Sequence, residues 1–200
     1  SGGVPTSAMA VKRYPIEEKC GWIWVWPGDP EAADPALIPD HEDLGFTAEG
    51  FHAYFGLRLD ADSNYLYSFE NLVDATHISF LHHGLIDVGQ VASHPYTVEA
   101  DGVRVSMTRV FENDIQPPML RASFGLKGER CDRTLELRSY APNVCVVRNA
   151  FVDLEYPNEP TRDSRLVFGI TPAGPRSCYQ FVGIAQNYEN RYSGIFNDLR

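Results

Sequence analysis

Three of the six histidines, His77, His82 and His83, fall within seven positions of the segment "ENLVDATHISFLHH", with Asp74 three residues before the first. Imidazoles gathered this closely suit a metal or a proton relay; the plain alternative is a set of surface or core histidines. His77 and His82 are five residues apart. On a regular helix that separation is about 500° of rotation, or roughly 140° between side-chain directions. Metal-binding pairs on a regular helix usually sit four apart. The spacing therefore requires a helix that is distorted or that ends near His82, and Gly84 permits such an ending. Asp74 shares a face with His77 and can ligate, or orient a histidine from behind. Two imidazoles and one carboxylate with open positions suit non-haem Fe(II). The same set can hold Zn for hydrolysis, so ligand type alone does not choose between them. His83 reads as the bystander.

The elements around these residues follow from periodicity. "CGWIWVWPGDP" reads as a strand closing on a Pro-Gly turn, with Trp22, Trp24 and Trp26 as strand packing residues. Residues 31–50 are acidic and proline-punctuated and read as a connector. "FHAYFGLRL" alternates, placing Phe51, Ala53, Phe55, Leu57 and Leu59 on one face of a half-buried strand. Residues 64–83 change to helical spacing, with Asp62 or Ser63 as the N-cap. From residue 95 the pattern is β. A hairpin is expected at Asp101-Gly102, followed by strands in "RTLELRSY", "VCVVRNAFVDLEY", "RLVFGIT" and "CYQFVGIAQNY". Residues 189–200 read as the start of a helix. The expected fold is α+β: a long antiparallel meander curling around helices, with a ligand cavity between them. Asn149 interrupts the apolar run of "VVRNAFV". It either faces that cavity and binds a substrate oxygen, or caps a bulge or meets solvent.

The composition narrows the function class. The 200 residues carry a net charge of −10, which argues against nucleic acid and against an anionic membrane surface. The four cysteines form no CxxC or CxH pair, so no zinc-ribbon or iron–sulfur signature lies within this chain. Reduced thiols and a cytoplasmic location are the expectation. Cys145 and Cys178 read as small buried hydrophobes.

The segment "ENLVDATHISFLHH" resembles the iron-binding helix of Rieske-type non-haem iron oxygenases, written roughly N-L-x-D-x-x-H-x-x-x-x-H. "RYPIEEKCGWIWVWPGDPEAADPALIPD" is similar to the junction between the Rieske and catalytic domains, especially in the vanillate O-demethylase group. "FENDIQPPML" and "ITPAGPRSCYQFVGIAQNY" resemble later segments of that group, in the expected order. The resemblance implies a helix-grip (START-like) catalytic domain at 31–200, preceded at 1–30 by the tail of a Rieske β domain. It implies His77 and His82 as ligands of a mononuclear Fe(II), Asp74 as the aspartate that bridges to a Rieske histidine of the neighbouring subunit, and Asn71 as an asparagine near the iron. It further implies a homotrimer, a reductase or ferredoxin electron donor drawing on NAD(P)H, O2, and a small aromatic substrate such as vanillate. Hydroxylation of an O-methyl carbon would give a hemiacetal that releases formaldehyde.

Two departures from the family pattern stand out. The Cys and His residues that hold the [2Fe-2S] Rieske cluster are absent, so the chain is expected to start after them. The third iron ligand, a carboxylate near the C-terminus, is expected beyond Arg200, with Asp198 as the weaker candidate. The alternatives are a Rieske oxygenase that hydroxylates the ring of another aromatic substrate, and a non-enzymatic helix-grip binding protein. A zinc hydrolase is a third, weaker reading.

Overall fold

The computed structural model describes residues 10–188. Two compact units are present, divided between Asp40 and His41. In the first, β1 (Ile16–Lys19) and β2 (Trp22–Val25) pair antiparallel. The tight turn between them is made by Cys20 and Gly21, both at positive φ. Trp22 and Trp24 share one face of β2, with ring centroids 5.7 Å apart, while Ile23 and Val25 on the other face are exposed. The connector that follows contains two single-turn 3-10 helices, Pro30–Ala32 and Pro35–Leu37. Each is capped by an aspartate, Asp29 and Asp34, whose carboxylate accepts a backbone N–H two residues on.

The second unit opens with the short helix α1 (His41–Leu44) and the strand β3 (His52–Ala61). The helices α2 (Tyr65–Val73) and α3 (Ile78–Leu81) follow, bridged by a 3-10 turn, Ala75–His77. Then come β4 (Thr97–Asp101), β5 (Arg104–Ile115), α4 (Pro118–Phe124), β6 (Arg130–Tyr140), β7 (Val144–Asp153), β8 (Arg162–Gly174) and β9 (Ser177–Gln186). The seven strands form one antiparallel sheet in the order β3-β9-β8-β7-β6-β5-β4. Strands consecutive in the chain pair as neighbours from β4 to β9, and β3 closes the far edge against β9. This is the expected α+β meander with helices against it. Among the described residues no helix is long and apolar enough to cross a membrane.

Four local expectations are corrected. The α2 N-cap is Asn64, whose side chain accepts from Leu66 N–H, rather than Asp62 or Ser63. The hairpin turn is Gly102-Val103, one residue later than expected, because Asp101 pairs with Arg104 and only Gly102 takes a positive φ. The strand β3 does not keep one alternation. A bulge between Tyr54 and Leu57, with Gly56 at φ 107°, inserts one extra residue against β9. Phe55 is thereby turned away from the face that carries Leu57, and it packs edge-on to Phe46. Finally, α4 interrupts the meander after "FENDIQPP". Pro118 supplies its first turn and Gly125 its left-handed C-cap. The expected helix at 189–200 lies outside the described residues.

Both faces of the sheet are occupied. On the outer face Leu44, Val144, Val146 and Val167 are buried, beside ion pairs of Arg138 with Glu136 and of Arg148 with Asp163, each at 2.6 Å. Register puts Cys131, Arg133, Leu135 and Leu137 of β6 on the inner face, opposite Phe151, Asn149 and Val147 of β7 and Phe111 and Met107 of β5. Here Ala75 and Ile78 pack on Phe111, Leu135 and Leu137. The helix α2 lies over Cys145 and Cys178, which contact the Leu72 carbonyl and the Ser68 hydroxyl. All four cysteines are free and buried. Burial pushes the Cys131 and Cys145 thiols up to about 12, as expected of packing residues rather than nucleophiles.

Packing on the outer face is tight at Gly183, where a Cβ would lie 2.6 Å from Cζ of Phe46. The backbone there is not left-handed, so the requirement is steric alone. Gly183→Val should destabilise the domain by about 1–3 kcal/mol, read as a fall in the denaturant midpoint. An unchanged midpoint would show that the Phe46 ring yields freely.

Candidate functional site

The helix that carries the histidines is broken at Asp74. This residue is extended, at φ −87° and ψ 95°, and it caps both neighbours. Its N–H donates to the Glu70 carbonyl, ending α2. Its carboxylate Oδ1 accepts from Thr76 N–H at 2.8 Å and from the Thr76 hydroxyl, starting the 3-10 turn. The Thr76 hydroxyl, followed by its N–H, holds this exposed carboxyl below the ordinary range. The second oxygen, Oδ2, has no hydrogen-bond partner among the described residues.

The break brings His77 and His82 together. His77 ends the 3-10 turn, and His82 leaves α3 as its C-cap at φ −110° and ψ 20°. Their ring centroids are 5.3 Å apart and the planes are inclined by 68°. The His77 Nδ1 lies against the Asp74 carbonyl. A carbonyl only accepts, so Nδ1 carries the proton and Nε2 keeps its lone pair, the usual arrangement of a metal-bound histidine. Two adjacent imidazoles, one with its outer nitrogen left free, are a donor pair whose chemistry fits a mononuclear metal. Among the described residues, no group of three or more His, Cys, Asp or Glu side chains converges on one point. Asp198 lies outside the described residues.

The turn after His82 is tied back firmly. Leu85 N–H and Ile86 N–H both donate to the His82 carbonyl, and Gly84 takes a positive φ. Asp87 is buried and accepts from the Ser79 hydroxyl at 2.6 Å and from the N–H groups of Gly89, Gln90 and Val91. Burial opposes its charge, but these four donors outweigh it and hold the carboxyl below the ordinary range. Ser79 in turn accepts from Ala92 N–H, so one Ser–Asp pair pins the whole 87–92 loop to α3. His83 points out, exposed, beside Gly89.

Asn149 lies on the inner face, where its Oδ1 accepts two hydrogen bonds from Arg133, at 3.1 Å from Nε and 2.9 Å from Nη2. It is half-buried and caps no bulge, being in regular register with Leu135 and Ser164. Asn71 is exposed on the last turn of α2. Two further groups escaped the sequence reading. Asp87 gave no signal beyond an Asp-Val-Gly turn. Arg133 was legible in principle: in "CDRTLEL" it is the one charge on a face otherwise built of Cys131, Leu135 and Leu137.

Comparison with known proteins gives a consistent picture. Residues 61–199 match the family model described as vanillate O-demethylase oxygenase C-terminal domain. A vanillate O-demethylase oxygenase subunit from Pseudomonas sp. strain HR199 is 30% identical over 199 residues, which are 95% of this chain and 55% of that protein. The dicamba O-demethylase oxygenase component of Stenotrophomonas maltophilia is 26% identical, over 93% of this chain and 54% of its own length. The chain therefore spans about half the length of the curated relatives it matches. In fold, the crystal structure of dicamba monooxygenase bound to 3,6-dichlorosalicylic acid superposes with a TM-score of 0.81 at 22% identity, over 99% of this chain and 57% of that one. The same enzyme bound to dicamba gives 0.80. The broken helix with its paired histidines, the antiparallel sheet beneath it and a family match over more than half of the sequence agree: this chain belongs to the vanillate O-demethylase oxygenase C-terminal domain family, the catalytic domain of Rieske-type oxygenases.

Proposed function

We propose that the chain is the catalytic portion of the oxygenase component of a Rieske non-haem iron monooxygenase, and that it removes the O-methyl group of a methoxylated aromatic acid such as vanillate as formaldehyde. The observation that carries the reading is the convergence of His77 and His82 above the inner face of the sheet. In this reading residues 1–30 are the end of a Rieske domain, and a [2Fe-2S] cluster lies upstream. A reductase or ferredoxin delivers electrons from NAD(P)H, and the working assembly is a cytoplasmic homotrimer. The third iron ligand lies beyond Arg200, with Asp198 as the weaker candidate.

His77, through Nε2, and His82 would hold Fe(II), which supplies activation of O2 when bound. The chain's own residues do the rest. The Asp74 carbonyl fixes the His77 tautomer. The Ser79–Asp87 pair keeps the turn behind His82 from fraying. Phe111, Leu135 and Leu137 form a dry floor under α3, which keeps water from the reacting carbon. Asp74 presents an exposed, ionised oxygen, Oδ2, as a bridge to a histidine of the neighbouring subunit's Rieske domain. Exposed Phe80 and Leu81, at 75% and 73%, flank the metal helix and suit burial in such an assembly. Asn71 stays near this junction in a supporting role.

In the full-length protein His77→Ala and His82→Ala should each abolish mononuclear iron by metal analysis and leave the Rieske absorption spectrum intact. His83→Ala should keep both. Loss of iron from His83→Ala and not from His82→Ala would reassign the ligand.

Asp74→Asn keeps an N-cap of equal quality, so iron and fold should survive. Single-turnover reoxidation of the reduced Rieske cluster by substrate and O2 should slow by orders of magnitude. A normal rate would reduce Asp74 to a helix cap.

The full-length oxygenase with its reductase should consume one O2 and release one formaldehyde per methoxybenzoate. A cis-diol would instead mark ring hydroxylation. The absence of oxygen uptake with any substrate, from an iron-replete protein, would favour a helix-grip binding protein.

A further inference from the structure

The inner face holds a charge that the iron site does not use. Arg133 lies in the middle of β6 and is 2% exposed. Its guanidinium is sandwiched between the rings of Phe111 and Phe151, each 5.6 Å away. Its hydrogen-bond partners are neutral oxygens: Asn149 Oδ1, approached by Nε and Nη2, and the Ile86 carbonyl, 3.2 Å from Nη1. Among the described residues no carboxylate comes within 4 Å of it. The outer-face arginines show what this sheet does when a cation is only structural: Arg138 and Arg148 are each ion-paired to a carboxylate at 2.6 Å. The buried carboxylates Asp87 and Asp114 act on Arg133 only from beyond contact distance, so the guanidinium keeps the capacity to meet an anion directly.

Two guanidinium N–H groups remain for such an anion. Arg133 has five and spends three, leaving one on each Nη. Arg133 can only donate, so the atom of Asn149 that faces it is the oxygen, and the amide Nδ2 is turned away and has no partner among the described residues. The described residues leave the inner face beside them only partly covered. On the inner face Val147, Asn149, Ser164 and Leu166 are only half-buried, whereas Val146 and Val167 on the outer face are fully covered. The position relative to the metal pair is fixed by a short relay: Arg133 holds the Ile86 carbonyl, and Ile86 N–H holds the carbonyl of His82.

Building on the proposed demethylation, we propose that Arg133, oriented by Asn149, is the anion anchor of the substrate pocket. Its free N–H groups and the Asn149 amide bind the carboxylate of an aromatic acid, which places the opposite end of the ring toward His77 and His82. A planar guanidinium backed by two aromatic rings is preorganised for bidentate binding of a planar carboxylate. The pocket thus selects acids over neutral aryl ethers of the same shape.

The test uses the full-length oxygenase with its reductase and a matched pair of probes, 4-methoxybenzoate and 4-methoxybenzamide. Wild type should bind the acid at least tenfold more tightly than the amide by calorimetry. Arg133→Met should raise KM for the acid by roughly 30-fold or more, change that for the amide less than about threefold, and leave iron content unaltered. Arg133→Lys should recover part of the acid preference. A purely structural Arg133 would affect both probes equally, and that result, or a wild type indifferent to the charge, overturns the proposal. The wild-type comparison stands even if Arg133→Met fails to fold. Arg133-dependent benzoate binding without formaldehyde release would uphold the anchor and sink the demethylation. Formaldehyde release with no acid preference would do the reverse.

Discussion

The site depends on one residue that refuses to be helical. Asp74 sits where a continuous helix from residue 65 to 81 would otherwise run, and it takes an extended conformation instead. The substitute bonds make this affordable: one oxygen of its carboxylate satisfies the first free N–H of the next turn, and its own N–H closes the last turn of α2. Without the break, residues 77 and 82 would diverge by roughly 140°. With it, the rings stand 5.3 Å apart. The same residue fixes the His77 tautomer through its carbonyl and leaves its second carboxylate oxygen free. Three local duties thus meet in one short segment.

The sheet supplies what the helices lack. α3 is four residues long and could not persist alone. It is held from below by Ala75 and Ile78 against Phe111, Leu135 and Leu137, and from the side by Ser79 and Asp87. The sheet keeps its two faces chemically distinct. The outer face settles its charges in ion pairs under α1 and Phe46. The inner face carries mostly apolar side chains, with Arg133 and Asn149 bonded to each other among them. That asymmetry lets one face be a foundation and the other a floor for a ligand.

The sequence exposed a good part of this. The strands β6 to β9 were readable because each is a long alternating run between clear turn residues. The histidine pair was readable because spacing five forbids a regular helix and Gly84 offers an exit. Other features were hidden for physical reasons. The β3 bulge depends on how one strand registers on another, and an alternating run such as "FHAYFGLRL" gives no local sign of it. The helix α4 is only seven residues, opening on a proline pair that reads as a turn. The Asn64 cap lost out to Asp62 and Ser63 because all three are good caps and only the tertiary path selects among them. Asn149 was singled out for its polarity, but its partner could not be named, since Arg133 reaches it across a strand pairing.

That pairing also bears on how a pocket of this kind can change its ligand. The residues of the proposed iron site are constrained by backbone geometry: His77 and His82 need the break, the cap and the pinned loop together. Arg133 and Asn149 need only their places on two neighbouring strands, whose hydrogen bonds are indifferent to the side chains they carry. In the proposed pocket, a substitution at Arg133 or Asn149 would alter what the floor recognises and leave the ladder intact, whereas one at Asp74 would alter the path of the chain itself. The proposed reaction is therefore tied to a break between helices and the proposed choice of substrate to a regular sheet. This division lets a single scaffold keep its chemistry while the recognised group varies.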